Sequence, residues 1–269
     1  MKQYLSTIRC PLCHKHVFLR QNSIICKKGH CFDLAKQGYV NFQAAIDEAY
    51  SKDLFKARQN TYEAGFYQPL FQAIESIIKE EVKKPEPLLL DAGCGEGYFL
   101  SHILKDGDAA KIGFDISRDA IKHAAAKFRE ILWMLADINN IPIKNGTVDV
   151  LLDILTPANY AEFKRVITKG GILIKVLPGA NYLKELRDLV QSELQSEEYS
   201  NHKTRDYFLR HVRLDGEKKL SYQVELSGAQ AIDFARMTPM TQHIQLDNLP
   251  IDKLSHMTIE LDILVGRFI

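Results

Sequence analysis

The feature that most constrains the fold is a run of three leucines that opens directly into a glycine-rich turn. Leucines at 88–90 are followed by Asp-Ala-Gly-Cys-Gly-Glu-Gly at 91–97 and then by Tyr-Phe-Leu. A short, wholly apolar run suits a strand that is buried on both faces. Glycine supplies a tight turn and lets a ligand approach the bare backbone. The segment therefore predicts a strand, a turn and a helix that hold a nucleoside cofactor.

Strand-like and helix-like stretches alternate after this turn, which is typical of a mostly parallel sheet with helices on both faces. Strands are predicted at 112–114, 131–135, 148–152 and 172–177. Helices are predicted at 119–128, 160–167 and 181–198. Helical spacing predicts two more helices between 54 and 82, ahead of the glycine turn. In the tail, a helix at 228–237 separates two further predicted strands, 220–226 and 258–268.

Acidic residues accompany three successive predicted strands. Asp91 and Glu96 belong to the glycine turn, Asp115 ends the next strand and Asp137 ends the third. Two acids in the turn would repel a pyrophosphate, whereas the ammonium and sulfonium groups of S-adenosylmethionine are cations. Asp115 can accept both ribose hydroxyls, and Asp137 can contact the adenine amino group. The pattern predicts an S-adenosylmethionine site, and a dinucleotide dehydrogenase, with its G-x-G-x-x-G fingerprint, is the main competing interpretation.

Four of the five cysteines lie between Cys10 and Cys31, and this crowding indicates a metal site rather than a disulfide framework. Cys10 and Cys13 form a Cys-x₂-Cys knuckle, and tetrahedral Zn²⁺ takes four nitrogen or sulfur ligands. The second half of the site is Cys26 with either His30 or Cys31. A unit this small needs such a staple to fold, so buried cysteines without metal are the weaker alternative. A closed site of four ligands implies a structural metal.

The cysteine-rich end is also the basic end of a nearly neutral chain. Residues 1–60 carry ten Lys/Arg against four Asp/Glu, although the net charge of the whole chain is only +1. This asymmetry indicates a polyanionic partner. Candidate phosphate contacts, each equally consistent with a solvated surface charge, are Lys15, Arg20, Lys27 and Lys28. Tyr39 and Phe42 are able to stack on bases, but we favour a place for them in the small core of this module.

Length and hydropathy limit the remaining classes. A chain of 269 residues accommodates one full α/β domain and a smaller appendage. No apolar run reaches the ~18–20 residues that cross a bilayer, and the first ten residues contain no signal-peptide core. We therefore expect a cytoplasmic protein without a membrane partner.

Taken together, these motifs resemble the RlmA family of 23S rRNA (guanine-N1)-methyltransferases. The zinc knuckles and the glycine turn occur in the family's order, together with Phe-Asp-Leu-Ala-Lys-x-Gly-Tyr-Val-Asn at 32–41 and Ala-Gly-Phe-Tyr-Gln-Pro-Leu at 64–70. The similarity covers nearly the whole chain. Asp-Ile-Leu-Thr-Pro-Ala-Asn-Tyr at 153–160 and Met-Thr-Pro at 237–239 look most like the Gram-positive branch, RlmA(II) or TlrB, which is associated with resistance to tylosin-type macrolides.

The resemblance implies an α/β fold: a Rossmann-like class I S-adenosylmethionine-dependent methyltransferase domain with a small N-terminal zinc-binding module. The zinc-binding module spans 1–42, a helical linker contributing to the cofactor site spans 43–87, and the methyltransferase domain spans 88–269. The implied zinc ligands are Cys10, Cys13, Cys26 and His30, with Cys31 left as an extra thiol. The implied cofactor contacts, together with those deduced above, are Tyr67, Asp91, Gly93, Cys94, Gly95, Glu96, Gly97, Tyr98, Asp115, Asp137 and Tyr182. Tyr182 stands where the family usually has a histidine.

The implied activity is methyl transfer from S-adenosylmethionine to N1 of a guanine in a hairpin loop of large-subunit (23S) rRNA. Guanine N1 carries a proton that a carboxylate or a chain of waters must remove. Asp153, at the end of the fourth strand, is the candidate catalytic base, with a purely structural role as an equal alternative. Two other classes stay open. One is a methyltransferase for a small metabolite or protein, whose zinc module docks a partner or forms a homodimer; the other is a non-catalytic RNA-binding protein that retains the cofactor.

Overall fold

The computed structural model describes residues 1–43, 52–105, 109–191 and 200–269. These residues form a three-stranded sheet near the N terminus and an eight-stranded sheet that carries most of the chain. Among the described residues, no helix combines the length and the apolar character that crossing a bilayer requires.

The small sheet is an antiparallel ribbon of three short strands. Its strands are Val17–Arg20 (β1), Ser23–Cys26 (β2) and Cys31–Asp33 (β3), with β2 in the middle. The ribbon buries few large side chains, chiefly Val17, Ile24 and Phe32. Three strands of this length are close to the minimum for independent stability, so the ribbon depends on further support.

The large sheet runs in the order β10-β11-β9-β8-β5-β6-β7-β4. Its strands are Val40–Asn41 (β4), Leu88–Ala92 (β5), Ala110–Asp115 (β6), Leu132–Leu135 (β7), Val148–Ile154 (β8), Ile167–Pro178 (β9), Val212–Glu225 (β10) and His256–Phe268 (β11). Strands β4 to β9 are parallel, whereas β11 is antiparallel to β9 and β10 is antiparallel to β11. The predicted α/β fold with a mostly parallel sheet is confirmed.

The helices found in the described residues are Lys52–Glu63 (α1), Gln68–Glu81 (α2), Tyr98–His102 (α3), Arg118–Lys127 (α4), Tyr160–Val166 (α5), Lys184–Leu189 (α6), His202–His211 (α7) and Gly228–Met237 (α8). The predicted helix at 181–198 differs, because Leu183 has a left-handed backbone (φ +53°) and α6 begins only after it. The part of that prediction from 192 onward lies outside the described residues. Helix α7 was not predicted.

The two faces of the large sheet are covered by different elements. On one face the buried side chains come from α2, α3, α4, α6 and α8, with α1 at its edge. On the other face they come from α5, α7 and the N-terminal module, including Tyr4, Ile8 and Ile24. The module is therefore part of a core that it shares with the large sheet.

The position of the module follows from one unusual connection in the sheet. From β5 to β9, the other connections between consecutive parallel strands carry α3, α4 or α5, but residues 136–147 connect β7 to β8 without a helix. The N-terminal segment fills the gap. Ile8 pairs with Ile143 in an isolated bridge, and the Lys144 amide donates to the Thr7 carbonyl at 2.8 Å. The module thus takes the place that a crossover helix would occupy.

The end of the module joins the large sheet directly. Val40 lies opposite Met134 in the parallel pair of β4 and β7. Phe42 is buried, and its ring centroid lies 5.0 Å from that of Phe32. Tyr39 is also buried. Phe42 therefore belongs to the core that contains the module, as favoured from the sequence, whereas Tyr39 is buried with the side chains on the opposite face of the large sheet. Neither ring is presented for base stacking.

Removal of residues 1–42 is expected to destabilise the whole chain. Each large apolar side chain that loses its cover contributes about 1.5–3 kcal/mol, and the module covers several on β5, β6 and β7. The sum is comparable with the total stability of a domain. Thermal melting followed by circular dichroism should show loss of the cooperative transition, whereas Leu12→Ser, at a side chain that is 65% exposed, should melt like the unchanged chain. A truncated chain that melts cooperatively near the full-length temperature would contradict the shared core.

Candidate active site and metal centre

The turn after β5 requires glycine both for its backbone and for space. Gly93, Gly95 and Gly97 have φ values of +72°, +53° and +75°, which residues with a side chain rarely adopt. A Cβ at Gly93 would overlap the side chain of Thr156, and a Cβ at Gly97 would overlap the ring of Trp133. The turn is therefore packed closely from both sides.

The backbone amides of this turn are already used by the protein. Three of them donate to backbone carbonyls at 2.9–3.0 Å, namely those of Gly93, Cys94 and Gly97. The amide of Gly95 donates to Oδ2 of Asp115 at 2.8 Å. A pyrophosphate site needs amides that point at the ligand. The arrangement of these four amides counts against the dinucleotide interpretation.

The turn and the neighbouring strand ends enclose a cavity of about 750 Å³. This volume lies inside the range of roughly 300–1,000 Å³ that is usual for ligand sites. One wall comes from the carboxyl ends of β5, β6 and β7, including Asp115 and Asp137. The opposite wall comes from the ends of β8 and β9 and from residues 237–240, and α1 closes a third side.

Asp115 connects three elements at the cofactor wall. Its Oδ2 accepts the Gly95 amide, and its Oδ1 accepts the Ser117 amide at 2.8 Å, just before α4. Burial raises the pKa of Asp115, and these two hydrogen bonds partly offset the rise. Asp137 is less confined, with Oδ1 accepting the Asn139 amide at 2.8 Å. Both carboxylates keep accepting capacity for hydroxyl or amino groups of a ligand.

Glu96 supplies the clearest test of which ligand fits. Its Oε2 pairs with Nη1 of Arg58 at 3.3 Å. Its Oε1 is buried and accepts no hydrogen bond from any described residue. A buried, unpaired carboxylate oxygen is costly, so this atom is suited to a donor on a ligand. An ammonium or hydroxyl group meets that need and a phosphate does not, so the residues present fit S-adenosylmethionine.

Most of the predicted cofactor residues line the cavity. They are Gly93, Cys94, Gly95, Glu96, Tyr98, Asp115, Asp137 and Tyr182. Tyr67, Asp91 and Gly97 do not line it. Tyr67 is buried behind the wall, and its hydroxyl lies 2.6 Å from the hydroxyl of Tyr182, which lines the cavity. Asp91 is enclosed within β5, where burial and then the charges of Asp115 and Asp153 raise its pKa to about 8.

Helix α1 contributes cavity residues that the sequence did not identify. Phe55, Arg58 and Tyr62 line the site, and the carbonyl of Tyr62 accepts the hydroxyl hydrogen of Tyr98 at 2.9 Å. The rings of Tyr62 and Tyr98 are stacked with centroids 5.1 Å apart. The helical pattern from residue 54 predicted the helix, but periodicity alone does not tell which side chains face a ligand.

Arg187 was also missed, on the opposite wall. Its Nη1 and Nη2 donate to the carbonyls of Ala180 and Tyr182 at 2.8 and 2.6 Å. These bonds hold a guanidinium at the lining of the cavity. Arg187 lies within the predicted helix 181–198, where a basic residue carries no distinguishing signal.

Asp153 does not line the cavity. It is fully buried and its Oδ2 accepts a hydrogen bond from Nζ of Lys175 at 2.7 Å, while the same Nζ donates to the Thr156 carbonyl at 3.0 Å. Burial raises the pKa of Asp153 to about 7, and Lys175 opposes the rise. The pair anchors the segment after β8. The first residue of that segment, Leu155, has φ of +55°. The geometry supports the structural alternative for Asp153 rather than contact with a substrate.

The predicted metal ligands come together in the N-terminal module. Ligand atoms of Cys10, Cys13, Cys26 and His30 all lie within 4.8 Å of one another. Nδ1 of His30 lies 3.4 Å from Sγ of both Cys10 and Cys26. Cys31 is exposed and outside the cluster. The geometry therefore selects His30 over Cys31 and gives a Cys₃His set, which is suited to a structural Zn²⁺.

The metal centre adjoins the rim of the cavity. Nδ2 of Asn140 donates to the carbonyl of Pro11, within the first knuckle, at 2.9 Å. The neighbouring Asn139 accepts a hydrogen bond from Asn159 at 3.0 Å, between the segments that follow β7 and β8. The same loop supplies Asp137 to the cavity. The knuckle and the cofactor wall are thus joined through only three residues of chain.

Two family models match separate parts of the chain. Residues 8–43 match the zinc-ribbon model described as "RlmA, N-terminal". Residues 89–171 match a model described as "Methyltransferase domain". Among solved structures, a chain from the complex between the Haloferax volcanii Trm112 methyltransferase activator and a putative methyltransferase aligns with a TM-score of 0.50 and 13% identity, over 81% of this chain and 98% of that one. This similarity supports the fold.

Curated relatives align over nearly the full length. A putative 23S rRNA (guanine-N(1)-)-methyltransferase of Bacillus subtilis is 35% identical, with 97% of each chain covered. The 23S rRNA (guanine(748)-N(1))-methyltransferase of Streptomyces fradiae is 26% identical, over 92% of this chain and 90% of its own length. The shared zinc ribbon, cofactor fold and full-length similarity lead to one conclusion: the chain belongs to the RlmA family of S-adenosylmethionine-dependent methyltransferases.

Proposed function

We propose that the chain transfers a methyl group from S-adenosylmethionine to N1 of a guanine in a hairpin loop of 23S rRNA. The observation that carries this proposal is the 35% identity to a putative enzyme of that kind over 97% of both chains. An alignment of this extent includes the metal centre and the cavity, so it supports a shared substrate class rather than a shared fold alone.

The proposal divides the work among three parts of the chain. Residues 1–42 hold structural zinc and contact RNA, residues 43–87 form a wall of the cofactor site, and residues 88–269 carry out methyl transfer. Cys10, Cys13, Cys26 and His30 hold the zinc ion. The large-subunit rRNA is the partner, and we propose that the protein acts in the cytoplasm, where that substrate is found.

When bound, S-adenosylmethionine supplies an electrophilic methyl group on a sulfonium. We assign Asp115 to its ribose hydroxyls, Asp137 to its adenine amino group, and Oε1 of Glu96 to a donor of the cofactor. Gly93, Gly95 and the ring of Tyr98 shape the pocket around it. Tyr67 acts indirectly, by fixing the hydroxyl of Tyr182 in the cavity.

The wall opposite the cofactor residues, here called the acceptor wall, is formed by the ends of β8 and β9 and by residues 237–240. It can position the guanine but carries no carboxylate among the described residues. Among the described cavity residues the carboxylates, Glu96, Asp115 and Asp137, lie on the cofactor side. Asp153 is held by Lys175 behind the wall. We therefore assign removal of the guanine N1 proton to water. Arg187 favours the anionic form of the base through its positive charge, and alignment of the two reactants supplies most of the rate.

The comparison also bears on the biological setting. A relative from Streptomyces fradiae is named for methylation of guanine 748. We propose that cells lacking this chain differ in their response to tylosin-type macrolides. A small metabolite or protein as acceptor, with the zinc module as a docking or homodimer surface, is the alternative. Direct methylation of RNA separates the two.

The central test is incubation of the purified protein with labelled S-adenosylmethionine and unmodified 23S rRNA, followed by mapping of reverse-transcription stops. A single stop at a hairpin-loop guanine is expected.

Asp115→Asn should weaken S-adenosylmethionine binding about tenfold or more in calorimetry, because it removes the charge from an acceptor of the ribose. Exposed Asp119→Asn, in the first turn of α4, serves as the matched control. Absence of any guanine stop with the unchanged protein, or binding of NAD in place of S-adenosylmethionine, would overturn the proposal.

Zinc content provides a second test. His30→Ala should lose the bound metal and much of the thermal stability, because the site would retain three ligands. Cys31→Ser should keep one zinc ion per chain, because its thiol lies outside the cluster. Metal analysis by mass spectrometry after gel filtration gives both values. Equal zinc loss in the two variants would contradict the assigned ligand set.

The role of Asp153 can be tested through stability and pH dependence together. Asp153→Asn leaves Lys175 buried without its partner, so the free energy of unfolding should fall by about 3–5 kcal/mol. The paired variant Asp153→Leu with Lys175→Met should recover much of this loss. At a temperature where the variants remain folded, the pH profile of kcat should keep its shape. A general base with a pKa near 7 would instead cost about 10²–10⁴ in kcat and remove a limb of the profile.

A further inference from the structure

Helix α7 is held to the molecule by one side of its surface only. Phe208 is its single fully buried side chain, whereas Lys203, Tyr207, Arg210 and His211 are all exposed. Tyr207 keeps 45% of its surface exposed. Leu209 of the same helix is also exposed, at 38%, and packing of the core does not account for the exposed part of Tyr207.

The exposed residues form a stripe along the helix. Positions 203, 207, 210 and 211 are spaced by four, three and one, and this spacing places them on one face of an α-helix. Lys203 and Arg210 make no hydrogen bond or ion pair with any described residue, whereas the neighbouring Arg205 pairs with Glu217 at 2.7 Å. Asp206 borders the stripe. The face therefore presents two uncommitted cations around an aromatic ring.

The ring of Tyr207 belongs to an aromatic group that is already ordered. Its centroid lies 5.1 Å from that of Tyr160 and 4.8 Å from that of His211. Tyr160 also stacks on His211 at 5.1 Å with an interplanar angle of 23°. Since Tyr160 is buried at the start of α5, it holds the two outer rings in place. The ring of Tyr207 is thus positioned by two aromatic neighbours and keeps an exposed surface.

The stripe begins at the rim of the candidate active site. Nδ2 of Asn201, the residue before α7, donates to the carbonyl of Pro178 at 2.8 Å. Pro178 lines the cavity. Tyr160 follows the cavity residue Pro157 by three positions. Helix α7 also lies on the sheet face that carries the N-terminal module, with α5 between the two. RNA that reaches the cavity across this face would pass the stripe.

We propose that the face formed by Lys203, Tyr207, Arg210 and His211, here called the α7 track, binds the unpaired strand of the RNA next to the target guanine. The proposal rests on the proposed function and names the surface that receives the substrate. Tyr207 stacks on an unpaired base, and Lys203 and Arg210 neutralise backbone phosphates. Stacking platforms beside basic side chains are the usual means of holding single-stranded nucleic acid, and cations that form no ion pair with a described residue are available to the phosphates of a polyanion.

The experiment measures binding of a fluorescently labelled RNA hairpin, cut from the mapped 23S target, to the full chain. Tyr207→Ala should weaken binding about tenfold, within the 1–3 kcal/mol range for a base stacked on an aromatic ring. Tyr207→Phe should bind like the unchanged protein. In methylation assays the alanine variant should raise KM for RNA, leave kcat within about twofold, and leave S-adenosylmethionine binding unchanged.

Salt dependence tests the phosphate contacts separately. Lys203→Gln with Arg210→Gln should lower the slope of log K against log [salt] by about 1.4, since each phosphate contact contributes about 0.7 for single strands. The control is Lys79→Gln with Lys253→Gln, which removes the same charge from exposed positions of α2 and of the 3₁₀ turn Ile251–Lys253. These elements pack on the opposite face of the sheet.

The outcomes separate this proposal from the one on which it rests. If the unchanged protein methylates no rRNA, the proposed function fails. If the unchanged protein methylates rRNA but Tyr207→Ala keeps its KM, or if the control pair changes the salt slope as much as the α7 pair, the α7 track is wrong. A fall in melting temperature of Tyr207→Ala that Tyr207→Phe does not show would identify a structural effect of losing the ring, and the salt slope of the Lys203 and Arg210 pair then decides.

Discussion

The rest of the structure depends on the β7–β8 crossover, which has no helix to cover its side of the sheet. A parallel sheet is stable only when both faces are shielded from water. Here the N-terminal module supplies the shield through Ile8 and β4, but the module itself has too small a core to fold without support. Zinc provides that support through two ligands that precede β1, Cys10 and Cys13, and two at the end of β2 and in the turn before β3, Cys26 and His30. The metal centre therefore stabilises the methyltransferase fold as well as the module, and it fixes the module beside the cavity.

The chemistry of the cavity follows from how the glycine turn uses its hydrogen bonds. The Gly95 amide donates a hydrogen bond to Asp115, and three more amides of the turn donate to backbone carbonyls. The turn itself still offers the ligand the carboxylate of Glu96, one oxygen of which is buried and lacks a donor among the described residues. A site built in this way attracts cations and hydroxyl groups and repels phosphate. The discrimination between a sulfonium nucleoside and a dinucleotide thus lies in the hydrogen bonding of the turn, beyond its glycine spacing.

The sequence was sufficient for the elements whose physical signal is local. The apolar strand before the glycine turn, the acids at strand ends and the knuckle of Cys10 and Cys13 depend on spacing, and the structure brings most of them together. What the sequence could not give depends on tertiary geometry. Ligand spacing left His30 and Cys31 as equivalent candidates, because a turn decides which side chain points inward, and only the family resemblance favoured His30. The sequence offered Asp153 as a catalytic base in the cavity, because no local pattern indicates that Lys175, on the next strand, forms an ion pair with that carboxylate. It also passed over Tyr62 and helix α7, whose exposed face is polar and carries no apolar periodicity.

The separation of carboxylates from the acceptor wall bears on how such a site can act on guanine N1. With Asp153 bound to Lys175 and Glu96 committed to the cofactor side, the protein has no general base in direct reach among the described cavity residues. The barrier must then be lowered by alignment and by the charge of Arg187, and both demand a base that enters the cavity fully. A guanine stacked within a duplex cannot do so without extrusion, which costs a few kcal/mol and costs least for an unpaired nucleotide. Under the proposed function, recognition of a loop by the zinc module and the α7 track is therefore part of the catalytic requirement, because it selects the one conformation of RNA in which N1 can reach the methyl group.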